Sequence, residues 1–332
     1  MDDLKDRFTR AVSRLLSLAL AVLAVFLAAN SNQPDVTLAA GPSQMYWTDA
    51  GTDKIQRANL DGTNVQVLFS TESSSLRDIT LDASAGKMYW TDSGADKIQR
   101  ANLDGTNVEL LTVSPIPKGI ALDISGGKMY WTDDGTNKVL QANLDGTNVR
   151  TLITGLDYPT GIAVNESSGK MYWADTGTDK IQRANLNGAS VQDVVTGLSN
   201  PMDIALDVSG GKMYWTELGG DKIQRANLDG TSIQNLVTAF SPVGIALDVS
   251  GGKMYWVTSY KIQRANLDGT SIEDLVTTGF IDTWGIALDI QPSTPVPVPA
   301  ASQRGLIALA AALVVVFVWS YMRKSALLPS RL

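Results

Sequence analysis

The sequence predicts an all-β chain folded as a six-bladed β-propeller, four antiparallel strands per blade, followed by a C-terminal transmembrane helix. Three observations predict it. A Tyr-Trp pair recurs six times, at Tyr46-Trp47, Tyr89-Trp90, Tyr130-Trp131, Tyr172-Trp173, Tyr214-Trp215 and Tyr255-Trp256, in steps of 43, 41, 42, 42 and 41 residues. A period near forty with aromatic motifs and regular turns is what propeller blades give. Two companion motifs travel with each copy, one typified by Lys97-Ile98-Gln99-Arg100-Ala101-Asn102 and one by Gly119-Ile120-Ala121-Leu122-Asp123. Finally, Gly305 to Met322 is an apolar run of 18 residues after the last repeat.

Each piece of the repeat has a local reading. Ile120-Ala121-Leu122 is a short continuous apolar run, as expected of an inner strand buried on both faces. Ser125-Gly126-Gly127-Lys128 supplies a turn. Met129-Tyr130-Trp131-Thr132 is rich in strand formers. Asp104-Gly105 is a hairpin signal, because glycine tolerates the positive φ of tight turns. Val108 to Leu111 then makes a short outer strand. One blade cannot bury both faces, so closure of the ring lets each pack on its neighbours. The tryptophans Trp47, Trp90, Trp131, Trp173, Trp215 and Trp256 are therefore read as inter-blade core rather than as a ligand-stacking ladder. A tryptophan can bury ~150–250 Å², an upper bound of ~4–6 kcal/mol each at ~25 cal/mol per Å².

These linked motifs resemble the LDL-receptor class B (YWTD) repeat, and the resemblance runs from about Met45 to Asp289. It implies a six-bladed propeller that is extracellular or at the cell surface and acts as a binding module. The animal receptors of that family flank the propeller with cysteine-rich modules, and this chain contains no cysteine. A receptor-like ligand or endocytic role does not carry over.

The ring offers two ways to close. Gly285-Ile286-Ala287-Leu288-Asp289 is a seventh inner-strand copy with no Tyr-Trp strand after it, and it would complete the first blade. Asp35-Val36-Thr37-Leu38 aligns with Asp78-Ile79-Thr80-Leu81 and is the alternative. The C-terminal clasp is favoured because Ala39 stands where most copies carry Asp.

The ends have a different character. Residues 1–31 read as a signal peptide, with an uncleaved anchor as the alternative: Lys5, Arg7, Arg10 and Arg14 precede the 15-residue apolar run Leu15 to Ala29, and small residues follow it. The propeller is placed at 32–290, a proline-rich linker at 291–304, the transmembrane helix at 305–322 and a short basic cytoplasmic tail at 323–332. The 18-residue run is just long enough to span a bilayer, and Arg323, Lys324 and Arg331 put the tail inside and the propeller outside. Proline spacer, span and basic tail resemble the PEP-CTERM and IPTL-CTERM sorting tails, which implies that the tail can be processed. A plain membrane anchor is the alternative.

Composition excludes much chemistry. The 332 residues carry a formal net charge of −7, no cysteine and no histidine. Thiolate zinc sites, cysteine nucleophiles and Ser-His-Asp triads are ruled out, and no basic patch suits nucleic acid. No cofactor is expected. The repeated acids Asp49, Asp92, Asp133, Asp175 and Glu217, with Asp53, Asp96, Asp179 and Asp221, are read as turn residues rather than a metal site, because one ion would not need six copies. Function should sit where the copies disagree. The residue before the inner-strand Gly or Asp differs in each: Arg77, Lys118, Thr160, Met202, Val243 and Trp284. Their spacing predicts a ring at the channel mouth, and Trp and Arg are enriched at binding hot spots. The expectation is a protein or peptide ligand at this mouth and no enzymatic activity. A propeller hydrolase or lyase similar to the gluconolactonase class, and a purely structural surface spacer, are the alternatives.

Overall fold

Aromatic and β-branched side chains favour a pleated, half-buried strand, and in the computed structural model each Tyr-Trp segment is the second strand of a four-stranded antiparallel blade. Residues 42–71, 75–279 and 282–291 are described. The first blade contains β1 (Gln44–Asp49), β2 (Lys54–Asn59) and β3 (Gln66–Ser70). The second is β4 (Leu76–Asp82), β5 (Lys87–Asp92), β6 (Lys97–Asn102) and β7 (Glu109–Val113). The third is β8 (Pro117–Asp123), β9 (Lys128–Asp133), β10 (Lys138–Asn143) and β11 (Arg150–Thr154). The fourth is β12 (Pro159–Asn165), β13 (Lys170–Asp175), β14 (Lys180–Asn185) and β15 (Gln192–Thr196). The fifth is β16 (Pro201–Asp207), β17 (Lys212–Glu217), β18 (Lys222–Asn227) and β19 (Gln234–Thr238). The sixth is β20 (Pro242–Asp248), β21 (Lys253–Thr258), β22 (Lys261–Asn266) and β23 (Glu273–Val276). The last strand, β24 (Thr283–Asp289), returns to the first blade, where the strand order is β24-β1-β2-β3.

The clasp is thus made by the C-terminal copy. Met45 lies opposite Leu288, Tyr46 opposite Ala287 and Trp47 opposite Ile286. Ala50 N–H donates to the Asp282 carbonyl at 2.8 Å, extending the seam beyond the strand. The inner edge of β1 can accept only one partner, and β24 carries the whole motif. The competing segment at 35–38 lies outside the described residues, as do residues 1–31 expected to form a signal peptide, the apolar run 305–322 expected to span a membrane, and the basic residues after it. Among the described residues no helix is long and apolar enough to cross a membrane.

Successive residues of a strand point to opposite faces, so each blade offers its Tyr to one neighbour and its Trp to the other. Trp90 and Met88 of the second blade pack with Tyr46 and Ile55 of the first. Trp131 meets Tyr89, Trp173 meets Tyr130, Trp215 meets Tyr172, and Trp256 meets Tyr214. Trp47 with Tyr255 closes the ring. All six tryptophans are fully buried. A second tie repeats outside this core. The Arg264 guanidinium of the sixth blade donates to the Leu60 carbonyl of the first at 3.2 Å. Arg57, Arg100, Arg183 and Arg225 make the matching bonds to Leu103, Leu144, Leu228 and Leu267. The third blade has Gln141 at that place, bonded instead to the Tyr130 hydroxyl.

One boundary differs from the expectation. The outer strand of the second blade runs Glu109–Val113 rather than from Val108 to Leu111. Asn107 takes a left-handed φ of 60°, which keeps Val108 in the turn. At the same outer turn in the first blade, Gly62 has φ +82°, and a Cβ there would lie 2.3 Å from the Leu275 carbonyl oxygen of the sixth blade. Positive φ and close approach together require glycine.

Candidate functional site

Every inner strand is broken at the same place. Register shifts between Leu76 and Ile79, Pro117 and Ile120, Pro159 and Ile162, Pro201 and Ile204, and Pro242 and Ile245, and the clasp strand shifts correspondingly. A bulge of this kind leaves residues unpaired and re-aims their side chains. The residues so placed are Arg77-Asp78, Lys118-Gly119, Thr160-Gly161, Met202-Asp203, Val243-Gly244 and Trp284-Gly285.

The bulge frees backbone groups, and the Thr of the Tyr-Trp-Thr-Asp motif takes them up. Thr91 accepts from the Asp78 N–H of its own blade at 3.0 Å and donates to the Lys118 carbonyl of the next. Thr132 joins Gly119 N–H to the Thr160 carbonyl in the same way. Thr216 joins Asp203 to Val243, and Thr48 joins Gly285 to Arg77. The repeat motif therefore holds the carbonyl of four divergent residues, Arg77, Lys118, Thr160 and Val243. Where Ala174 replaces this Thr, Thr176 donates to the Pro201 carbonyl at 2.6 Å instead.

All six divergent residues converge on one cavity of about 40 Å³, which is also lined by Asp78, Gly119, Gly161 and Asp203. The sequence predicted a ring of these residues at the channel mouth, and in the structure that ring closes over the channel much like a plug. Lys118, Thr160, Met202 and Val243 are buried, and Arg77 and Trp284 are half-buried at the rim. The bulges aim side chains inward across a narrow ring, which accounts for the closure. Beneath lies the channel proper, about 290 Å³, lined by the inner strands.

The mouth has two chemical halves. On one side the Arg77 guanidinium stacks over the Trp284 ring at 3.9 Å. The Lys118 ammonium lies 5.1 Å from the Tyr158 ring centre and 3.6 Å from an Asp134 oxygen. Burial lowers the pKa of Arg77, and burial and then the Arg77 charge lower that of Lys118. Burial outweighs the Lys118 field at Asp134 and raises its carboxyl. On the other side, Met202 and Val243 continue into the apolar cluster that joins the sixth blade to the first.

Sequence reasoning did not single out the two carboxyls at the neck. Asp78 and Asp203 stand three blades apart, where the other four copies have glycine. Asp78 accepts from Ile79 N–H and, across to the next blade, from Ile120 N–H, each at 2.8 Å. Asp203 does the same with Ile204 and Ile245. The glycines are needed for clearance: a Cβ on Gly119 would lie 2.6 Å from the Thr160 carbonyl oxygen. Both carboxyls touch the channel but are enclosed by protein. Burial raises Asp203 to about 6. Burial, with the Asp203 charge added, raises Asp78 well above the ordinary carboxylate range. The available signal was the departure from glycine in two copies of six.

The repeated acids hold turns. Asp49 accepts from Gly51 and Thr52 N–H, and Asp92 from Gly94 and Ala95 N–H. Asp96, Asp179 and Asp221 adopt positive φ and accept from Ile116, Asn200 and Ser241 N–H. Glu166, which stands outside the repeat pattern, accepts from Ile124 N–H in the third blade and lies away from the mouth. Tyr260 is 66% exposed and does not line the cavity. Among the described residues no three acidic side chains cluster as a metal site would require.

A family described as the Virginiamycin B lyase family matches residues 15–265. The chain belongs to the Virginiamycin B lyase family. Solved structures share its fold. A chain in the crystal structure of a nidogen/laminin complex superposes with a TM-score of 0.68 at 22% identity, covering 75% of this chain and 98% of that one. The crystal structure of TolB from Acinetobacter baumannii gives a TM-score of 0.60 at 16% identity, covering 81% of this chain and 71% of that one. No curated protein matches this member of the Virginiamycin B lyase family.

Proposed function

We propose that this chain is a ligand-binding propeller that captures a protein or peptide at the mouth of its channel. One observation carries the reading: the six positions at which the copies disagree all line a single cavity, held there by six equivalent bulges. Arg77, Lys118 and Trp284 are the leading contacts, since a stacked Arg-Trp pair beside a second cation offers both area and charge. The nidogen/laminin structure supplies a precedent in which this architecture occurs in a protein complex. The apolar run 305–322 and its basic flank support a propeller displayed outside the membrane, or at the cell surface if the tail is processed. Mass spectrometry of both mature termini tests that placement. The capture reading is tested by pull-down of exported proteins on the full-length chain and on a variant with Arg77, Lys118 and Trp284 changed to Ala. A partner held by the first and lost by the second, with the melting temperature retained, is the expected result. Equal capture by both would overturn it.

A lyase reading is favoured by family membership and by Asp203, whose raised carboxyl lines the mouth cavity. A base titrating near neutral pH suits proton abstraction. Under this reading the chain turns over virginiamycin B or a related molecule, and Asp203→Asn abolishes the turnover. Incubation with virginiamycin B followed by mass spectrometry is the test, and unchanged compound would count against it.

A further inference from the structure

The mouth contains donors that no described residue satisfies. Arg77 Nε and Nη1 and the Trp284 indole N–H are buried without a hydrogen-bond partner. Asp282 and Asp134 reach Arg77 through their fields, with no hydrogen bond to it. The Lys118–Asp134 contact, at 3.6 Å, is longer than a hydrogen bond. Lys118 has an ion pair with Asp134 and the half-buried Arg77 has no acid hydrogen-bonded to it, whereas charges withdrawn from water are ordinarily paired and hydrogen-bonded. The acids on the cavity floor do not fill the gap. The oxygens of Asp78 and Asp203 are turned to four backbone N–H groups. The cavity of about 40 Å³ has room for roughly three water-sized groups. A carboxylate has three heavy atoms.

We propose that the mouth holds a carboxylate-binding subsite in which Arg77, Lys118 and the Trp284 indole N–H grip the anionic end of a ligand whose apolar body lies over Met202 and Val243. The inference rests on the mouth reading above and names the chemistry it selects. Carboxylate is favoured because a charged acceptor makes the strongest bonds with guanidinium and ammonium donors, and because the neighbouring wall is apolar. Since Trp284 covers the guanidinium, entry requires its ring to turn off Arg77. Trp284 is therefore both a donor and the reporter of binding.

The experiment uses the full-length chain labelled with 5-fluorotryptophan, with the Trp284 resonance assigned from Trp284→Phe. Sodium acetate, sodium 4-methylvalerate and neutral 4-methylvaleramide are titrated in turn. The Trp284 resonance is expected to shift saturably with both carboxylates, more tightly with 4-methylvalerate, and to stay put with the amide. Arg77→Gln and Lys118→Met should each weaken the 4-methylvalerate midpoint about ten-fold or more, as loss of a charged hydrogen-bond partner does. The remaining fluorotryptophan resonances show that each variant is folded. An acetylated tripeptide with a free C-terminal carboxylate, and a C-terminally amidated one bearing Glu, then distinguish main-chain from side-chain carboxylate; binding of either supports the subsite. An equal response to the amide, or unchanged midpoints in both variants, overturns it. If carboxylates leave Trp284 unmoved while the Ala triple variant still loses its captured partner, only the carboxylate inference falls. If capture is indifferent to the triple variant, the mouth reading falls as well.

Discussion

The inter-blade cores and the channel mouth are built from the same repeat, yet they obey opposite rules. In each core the residues are nearly the same six times over: Trp and Met from one blade, Tyr and Ile or Val from its neighbour, fully buried. At the mouth, one residue per blade is placed by an equally repetitive backbone, but no two are alike. The contrast teaches where selection for packing ends. Burial of large aromatics tolerates little change, because cavities and clashes both destabilise. A bulged position can carry Arg, Lys, Thr, Met, Val or Trp without altering the fold, and in four of the six a threonine holds its carbonyl. The mouth even retains unpaired buried donors, which a pure stability optimum would remove.

The largest effect is expected at the clasp. Ending the chain at Asp282 removes β24 and leaves the inner edge of β1 bare and Trp47 without Ile286 opposite it. Such a chain should lose its cooperative thermal transition by circular dichroism; an unchanged transition would mean that another segment closes the ring. Next, Trp131→Ala in the core should cost about 3–5 kcal/mol in denaturant unfolding. Ligand capture by the molecules that remain folded should be unaffected. Thr91→Val sits between the two regions. It leaves the Asp78 N–H and the Lys118 carbonyl without their partner, at about 1–3 kcal/mol for an unsatisfied buried group. Because it also loosens the backbone of Lys118, it should weaken capture in proportion more than Trp131→Ala does. If both variants retained capture equally, the link from repeat motif to mouth would be absent.

The neck carboxyls sharpen the contrast by pH. Asp203 titrates at about 6 in the folded chain and near the ordinary carboxylate value when unfolded, and Asp78 is raised as well. Between those values the folded chain binds more protons, so stability is greatest below the unfolded pKa and falls as pH rises toward 6. Melting temperature should therefore decline from about pH 4 to pH 6.5 through Asp203, with Asp78 acting in the same direction, against the usual acid trend. The Asp78→Asn/Asp203→Asn double variant should flatten that part of the profile; a profile the same as the parent chain would show that the pair does not set it. The smallest effect is expected at Arg77→Gln. It removes a half-buried, poorly compensated cation and should change stability by about 1 kcal/mol or less in either direction.

Much of this was legible in the residues. The Tyr-Trp period gave six blades, the Asp-Gly pairs gave the outer turns, and the disagreement among Arg77, Lys118, Thr160, Met202, Val243 and Trp284 marked positions that the structure does bring together. Other features were not legible. Thr48, Thr91, Thr132 and Thr216 look like generic strand formers, and the bonds they make to the next blade join residues 27 to 29 apart, while the partners at the clasp lie 237 apart. The closed character of the mouth also had no signal, since inward aim depends on six bulges acting on one narrow ring.

By itself, then, the sequence determined the blade, the number of blades and the loci of variation, because each follows from local periodicity and its repetition. The tertiary structure decided three further things. It chose β24 as the closing strand, since only ring geometry brings residue 286 opposite residue 47. It set Asp78 and Asp203 at the channel neck, three blades apart in the ring. It also left Arg77 beneath Trp284 without an acceptor. Each depends on which residues meet across the axis of a closed ring, and no window of one chain contains that information.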